Sequence, residues 1–149
     1  MSNQQQNPER IIYLAEDDED DRMLFLEASE ELNLPIRVIQ APDGNELLDA
    51  LKNADHLPDI IFLDINMPLK NGFECLKEIR RKEGALGRVK IVMLSTSSSS
   101  IHIQISYKLG ADYYAVKPGT YQGLRELLDK VFNDFGSLKK EVKKFLAAQ

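Results

Sequence analysis

Four stretches of this chain place acids, hydroxyls or a lysine directly after short apolar runs. Glu16-Asp17-Asp18 follows Ile11 to Ala15, Asp64 follows Ile60 to Leu63, Ser95-Thr96 follows Val89 to Leu94, and Lys117-Pro118 follows Tyr113 to Val116. Taken singly, each is ordinary. An acid after a strand is more often a helix cap than a ligand, and Asp20 or Asp21 is the expected cap of the first helix. A Ser-rich run reads as a polar loop and a lone lysine as a solvated charge. Gathered at one edge, they would do chemistry. Two carboxylates ~4 Å apart repel by roughly 4 kcal/mol at an effective dielectric of 20, so a cluster of acids calls for a cation. Oxygen ligands favour a hard ion such as Mg²⁺, which binds through one or two carboxylates plus a phosphate. A metal beside a carboxylate supplies the in-line positioning and charge neutralisation of phosphoryl transfer. Lys117 and the Ser95 hydroxyl would donate to the remaining phosphoryl oxygens. The deduced reaction is attack by an aspartate on phosphorus, giving an acyl phosphate.

The elements that must position these groups alternate regularly. Besides the four runs above, Ile36-Arg37-Val38-Ile39 is a fifth, and most are β-branched or aromatic, as strands covered on both faces read. Amphipathic helices lie between them. Leu24, Phe25, Ala28 and Leu32 mark the first, Leu47, Leu48 and Leu51 the second, and Phe73, Leu76 and Ile79 the third. Ile101, Ile105 and Leu109 mark the fourth. Leu124, Leu127, Leu128, Val131, Phe132 and Phe135 mark the fifth. Pro35 and Pro58 separate helices from strands, and Gly110 stands where a helix end wants a left-handed residue. Five βα units in order predict an α/β fold: a doubly wound parallel sheet with helices on both faces and right-handed crossovers. Ligands of such sheets sit beyond the carboxyl ends of the strands, at the topological switch point.

Composition narrows the function classes. The chain has 149 residues, 43% of them hydrophobic, enough for one domain with a buried core. Six consecutive acids, Glu16 to Asp21, outweigh the net charge of −5, so the remainder is close to neutral and the acidity is local. A single cysteine, Cys75, excludes an internal disulfide, and its expected role is packing in or beside the third helix. No basic excess points to nucleic acid and no apolar run to a membrane span or signal peptide. The expected localisation is cytoplasmic. The Gln/Asn-rich opening predicts a tail over residues 1–9, a domain over 10–135 and a helical extension over 136–149.

The chain resembles the receiver domains of two-component response regulators, of the single-domain chemotaxis type. The segment Pro58-Asp59-Ile60-Ile61-Phe62-Leu63-Asp64-Ile65-Asn66-Met67-Pro68, followed by Asn71-Gly72, carries the likeness together with the acidic pair and Lys117-Pro118. The resemblance covers about Arg10 to Phe135. It implies the flavodoxin-like strand order 2-1-3-4-5, which periodicity does not supply. It also implies that Asp64 is the phosphoacceptor, that Asp17 is a direct ligand of Mg²⁺ and Glu16 a ligand through water, and that the Asn66 carbonyl completes the protein ligands. Ser95 is implied as the switch hydroxyl, Lys117 as the partner of the phosphoryl group, and Tyr114 as the aromatic switch that turns inward on activation. A cis Lys117–Pro118 bond is implied as well. The donor would be a histidine kinase or phosphotransfer protein, and the readout a changed face of the fourth helix, fifth strand and fifth helix, toward an unknown downstream protein. Such a protein is not an enzyme beyond its own phosphorylation and dephosphorylation.

Thr96 departs from the family's usual Ala or Gly at a position lining access to the aspartate. The run Ser95 to Ser100 leaves Ser95 and Thr96 as rival switch hydroxyls, with the four apolar residues Ile91 to Leu94 favouring Ser95. His56 and His102 are expected away from the site. Leu124, Leu128, Val131, Phe135, Leu138, Val142 and Phe145 form a heptad-like stripe. Two readings of it stay open: a helix ending at Gly136 with a separate short helix after it, or a prolonged fifth helix that offers a seam to a partner or a second copy. Too few residues follow Phe135 for a helix-turn-helix domain. Two rival functions remain. A phosphohydrolase forming an aspartyl phosphate would want a second aspartate where Asn66 stands, and a phosphorylation-independent adaptor would not need the full residue set. A flavin-binding flavodoxin is disfavoured, because the loop after the first strand is acidic where a phosphate-binding loop is rich in Ser, Thr and Gly.

Overall fold

The computed structural model describes residues 9–133. Strands β1 (Arg10–Ala15), β2 (Ile36–Ala41), β3 (Ile60–Leu63), β4 (Lys90–Ser95) and β5 (Tyr113–Val116) alternate with helices. These are α1 (Glu19–Glu31), α2 (Gly44–Lys52), α3 (Gly72–Arg80), α4 (Ser100–Lys108) and α5 (Tyr121–Asn133). The strands form one parallel sheet in the order β2-β1-β3-β4-β5. No described helix is long and apolar enough to cross a membrane.

Strand alternation builds two cores. Tyr13, Ile61, Leu63, Ile91, Met93 and Tyr114 face α2, α3 and α4, meeting Leu47, Cys75, Leu76, Ile79 and Ile103. Ile12, Leu14, Ile60, Phe62, Val92 and Leu94 face α1 and α5, meeting Phe25, Ala28, Leu128, Val131 and Phe132. Phe62 anchors the second core with edge-on contacts to Phe25 at 5.0 Å and to Phe132 at 5.9 Å. Both faces of β3 are covered, which is why its four residues are all apolar.

Local chemistry ends the helices where the turn residues dictate. Asn71 and Glu74 form a reciprocal capping box at the start of α3. At the end of α4, Gly110 takes φ +107, and the amides of Gly110 and Ala111 donate to Tyr107 and Ser106 in a Schellman closure.

Several sequence expectations need correction. The N-cap of α1 is Asp18, which accepts from the Asp21 amide at 3.0 Å, rather than Asp20 or Asp21. The helix begins two or three residues earlier because Asp18, with extended backbone at φ −82 and ψ 119, is placed to accept from the third amide of the helix. In α4 the buried residues are Ile103 and Ser106, while Ile101 is 65% exposed. Apolar type misled there, since the Ser106 hydroxyl satisfies itself on the His102 carbonyl and so can be buried. In α1, Leu24 is 41% exposed and Ser29 takes the buried place. All peptide bonds among the described residues are trans, so the expected cis Lys117–Pro118 bond is absent, and the Lys117 N–H donates a hydrogen bond to the Ser95 carbonyl at the sheet edge.

The expected tail falls outside the described residues except for Glu9, which pairs with Arg37 at 3.6 Å. The expected extension over 136–149 and most of the heptad stripe also fall outside them. Within α5, Leu128 and Val131 are spent on the domain core against β3 and β4, so these stripe positions are closed to a second helix.

Cys75 is fully buried, with Sγ 3.7 Å from the Gly44 carbonyl oxygen, and burial pushes its thiol up to about 12. A buried thiol held in its protonated form is a poor nucleophile. We expect the folded protein to resist a thiol reagent for as long as the urea-unfolded chain takes to react completely; rapid labelling of the folded protein would show that the α2–α3 packing opens.

Candidate functional site

Strand register makes the site. Ala15 lies opposite Leu63, so the next residues, Glu16 and Asp64, emerge side by side between β1 and β3, where the strand order of the parallel sheet reverses. Ser95 lies opposite Val116, and the Lys117 amide donates to the Ser95 carbonyl at 2.7 Å. Thus the ends of β1, β3, β4 and β5 deliver the acids, the hydroxyl and the ammonium to one rim.

Carboxylate oxygens of Glu16, Asp17 and Asp64 lie within 4.8 Å of one another. Glu16 and Asp64 are buried, whereas Asp17 is exposed and its carboxylate pairs with no other described side chain. A buried, partly unshared set of oxygens of this kind suits a hard divalent cation. Lys117 neutralises part of the charge. Its ammonium bonds Glu16 and approaches Asp21 Oδ2 at 3.0 Å and Asp64 Oδ2 at 3.7 Å. Burial alone would push the Lys117 ammonium down, but its bond to Glu16 and the charges of Asp64 and Glu16 hold it above its usual range. Burial raises Glu16 to about 7, opposed by the bond from Lys117 and reinforced by the charge of Asp64. Burial also raises Asp64, opposed by Lys117 and by the amides of Ile65 and Asn66. The Ile65 amide donates to Asp64 Oδ1 at 2.8 Å.

Ser95 is the last residue of β4 and wholly buried, while Thr96 is exposed. The Ser95 Oγ accepts from the Ser97 amide at 3.1 Å, which leaves its own hydrogen free to donate. Tyr114 is turned inward, 1% exposed, with its hydroxyl donating to the Ser97 carbonyl at 2.7 Å. Asn66 is exposed on the loop after β3, beside the aspartate. Glu16, Asp17, Asp64 and Lys117 thus meet at one rim with Ser95 at the end of the adjoining strand, while Tyr114 lies within β5 and touches the loop after β4.

A sequence model described as the response regulator receiver domain matches residues 12–129. The chain belongs to the response regulator receiver family. Among relatives, the probable methanogenesis regulatory protein FilR2 of Methanothrix harundinacea is 30% identical over 125 residues, covering 81% of this chain and 80% of that protein. Among solved structures, the phosphorylated cyanobacterial phytochrome response regulator RcpA superposes with a TM-score of 0.76 at 31% identity. That match covers 83% of this receiver and 93% of RcpA. The Mn²⁺-bound response regulator Rcp1 gives 0.73 at 28% identity, covering 82% of this chain and 91% of its own.

Other residues of this receiver's site were not singled out from the sequence. Arg22 Nη1 donates to the Glu16 and Asp17 carbonyls at 2.8 and 3.2 Å, tying α1 to the acidic loop. Tyr107 accepts the Tyr114 amide at 2.8 Å through its hydroxyl. His102 was expected away from the rim, and it does stand clear of the carboxylates. Even so, its Nδ1 is 2.7 Å from Ser97 Oγ, next to the loop that Tyr114 holds. These contacts join near neighbours in sequence across the boundaries between elements, and they depend on side-chain rotamers, which periodicity does not report. Asp21, in the first turn of α1, was read only as a cap, and no local spacing marks its reach to Lys117.

Gly72 has a different role. A Cβ there would stand 2.2 Å from the Asp64 carbonyl oxygen and 2.8 Å from the Ile65 Cα, both backbone atoms that cannot swing aside. Gly72→Ala is expected to cost about 1–3 kcal/mol through overpacking, seen as a lower urea midpoint at unchanged m-value. An unaltered midpoint would mean that the loop after β3 yields without strain.

Proposed function

We propose that this receiver is a phosphorylation-dependent switch in which Asp64 accepts a phosphoryl group from a phosphohistidine of a sensor kinase or phosphotransfer protein. The observation that carries the reading is Lys117 Nζ, which stands 3.7 Å from Asp64 Oδ2 inside the acidic group of Glu16, Asp17 and Asp64. In the transfer, the histidine N–P bond breaks, an Asp64 Oδ–P bond forms, and the imidazole leaves with the electron pair. Mg²⁺ would be held by Asp17, Asp64 and the Asn66 carbonyl, with Glu16 acting through water, and would supply charge neutralisation at phosphorus. Asp64 Oδ2 is the attacking atom, because Oδ1 is held by the Ile65 amide. Ser95 and Lys117 donate to the phosphoryl oxygens, and the exposed Thr96 lines the approach of the donor. The charge developing at phosphorus is the event, and the hydrogen-bonded loop of Ser95, Ser97 and Tyr114 is the element whose two arrangements it biases. The structure has the inward arrangement of Tyr114, in which its hydroxyl secures the Ser97 carbonyl. A phosphorylated relative and a Mn²⁺-bound relative of similar fold support the reading. The altered surface would be the face of α4, β5 and α5, read by a downstream protein.

The test is incubation with a small phosphodonor and Mg²⁺, followed by intact mass. Wild type should gain one phosphoryl group and Asp64→Asn none; equal labelling of the variant would remove Asp64 from the role. Lys117→Ala should slow labelling by roughly 10² or more, the scale of losing a donor aimed at developing charge.

Cation binding is checked separately by thermal unfolding. At ten times its dissociation constant, Mg²⁺ should add about 1.4 kcal/mol of stability, and Asp17→Asn should abolish most of that gain. A gain of the same size in the variant would place the cation elsewhere.

A further inference from the structure

The capping of α1 has a consequence for Lys117. Because Asp18 supplies the cap, the Asp21 carboxylate is released from that duty and turns across to the ammonium from the first turn of the helix. An ammonium has three donors. In this structure Glu16 and Asp21 Oδ2 are within bonding distance, while Asp64 Oδ2 at 3.7 Å is beyond it. We infer that Asp21 is a positioning residue that holds Lys117 back from Asp64 in the unphosphorylated protein and must release it for phosphorylation. The inference rests on the phosphoacceptor reading above.

Two features support it. The Lys117 side chain is 15% exposed, and among the described residues its ammonium partners are Glu16, Asp21 and Asp64, of which Asp21 Oδ2 at 3.0 Å is nearer than Asp64 Oδ2 at 3.7 Å. A cavity of about 240 Å³ lies beside the pair, bounded by Glu16, Asp21, Lys117 and Pro118, so the contact of Asp21 with Lys117 is not locked on that side by packed side chains. In the transfer, charge grows on the phosphoryl oxygens, and Lys117 reaches them only as its bond to Asp21 breaks. The Asp21 side chain is 42% exposed, so the restraint is that of a partly hydrated ion pair. Removing it should speed labelling about two- to five-fold.

Asp21→Asn removes the charge, Asp21→Glu keeps it, and Asp20→Asn removes an equal charge from an exposed neighbour on the same turn that does not touch Lys117. At saturating small phosphodonor and Mg²⁺, the labelling rate constant should rise two- to five-fold in Asp21→Asn alone. Asp21→Glu and Asp20→Asn should match wild type. In a Lys117→Ala background the Asp21→Asn effect should vanish, which a general charge effect or a folding defect would not produce. The resting bond is read without metal or donor, from the side-chain ammonium signal of Lys117 in ¹⁵N-lysine-labelled protein, assigned by its loss in Lys117→Ala. Its exchange with water should quicken in Asp21→Asn and not in Asp20→Asn. Equal acceleration by both neutral variants, a slower Asp21→Asn, or an unchanged ammonium signal would each overturn the inference. If wild type labels normally and Asp21→Asn labels at the same rate, only this inference falls. If wild type takes up no phosphoryl group, the phosphoacceptor reading falls and takes this one with it.

Discussion

Acid oxygens held within 4.8 Å of one another at the edge of a buried sheet are the constraint on which this molecule turns. Repulsion among them is worth several kcal/mol at short range, and burial of Glu16 and Asp64 makes ionisation costlier still. One lysine relieves it. By bonding Glu16 and facing Asp21 and Asp64, Lys117 links the end of β5 to those of β1 and β3 and to the first turn of α1. The relief is partial, because the Asp17 carboxylate pairs with no side chain among the described residues. The remaining negative charge is what suits the site to a hard cation.

The scaffold earns its rigidity from the sheet. Parallel pairing fixes the register of β1 on β3 and of β4 on β5, and the two cores on either face hold those registers against slippage. Rigid strand ends then present groups whose spacing would otherwise cost conformational entropy. Side chains and short loops are placed on that frame. Tyr114 belongs to both: its backbone is in β5, its amide bonds Tyr107 on α4, and its hydroxyl secures the Ser97 carbonyl. Ser95 is thereby joined to α4 through three hydrogen bonds, from the Ser97 amide to Ser95 Oγ, from the Tyr114 hydroxyl to the Ser97 carbonyl and from the Tyr114 amide to the Tyr107 hydroxyl.

Some errors of sequence reading have a common cause. Ser106 and Ser29 are buried because each hydroxyl bonds its own helix's backbone one turn earlier, an option open to serine and invisible to a count of apolar residues. Ile101 and Leu24 are exposed because their faces of α4 and α1 meet no second layer. Asp18 took the cap from Asp20 and Asp21 because three neighbouring acids all have the right chemistry, and only backbone geometry selects among them. In each case residue type was read correctly and the local partner was not.

The alternation of strand and helix, the two-sided burial of β3, the Gly110 helix end and the candidate acids, hydroxyl and lysine were all legible in the amino-acid order. They follow from periods of two and 3.6 residues and from turn chemistry, which act over a few neighbours. Strand order came by way of a family resemblance, since no local period encodes which strands pair. Only the tertiary structure decided that Asp21 shares Lys117, that Arg22 ties α1 to the acidic loop, and that Tyr114 sits inward on the Ser97 carbonyl. Those choices are made by side chains from different elements meeting in space, where distance of about an ångström selects one partner over another.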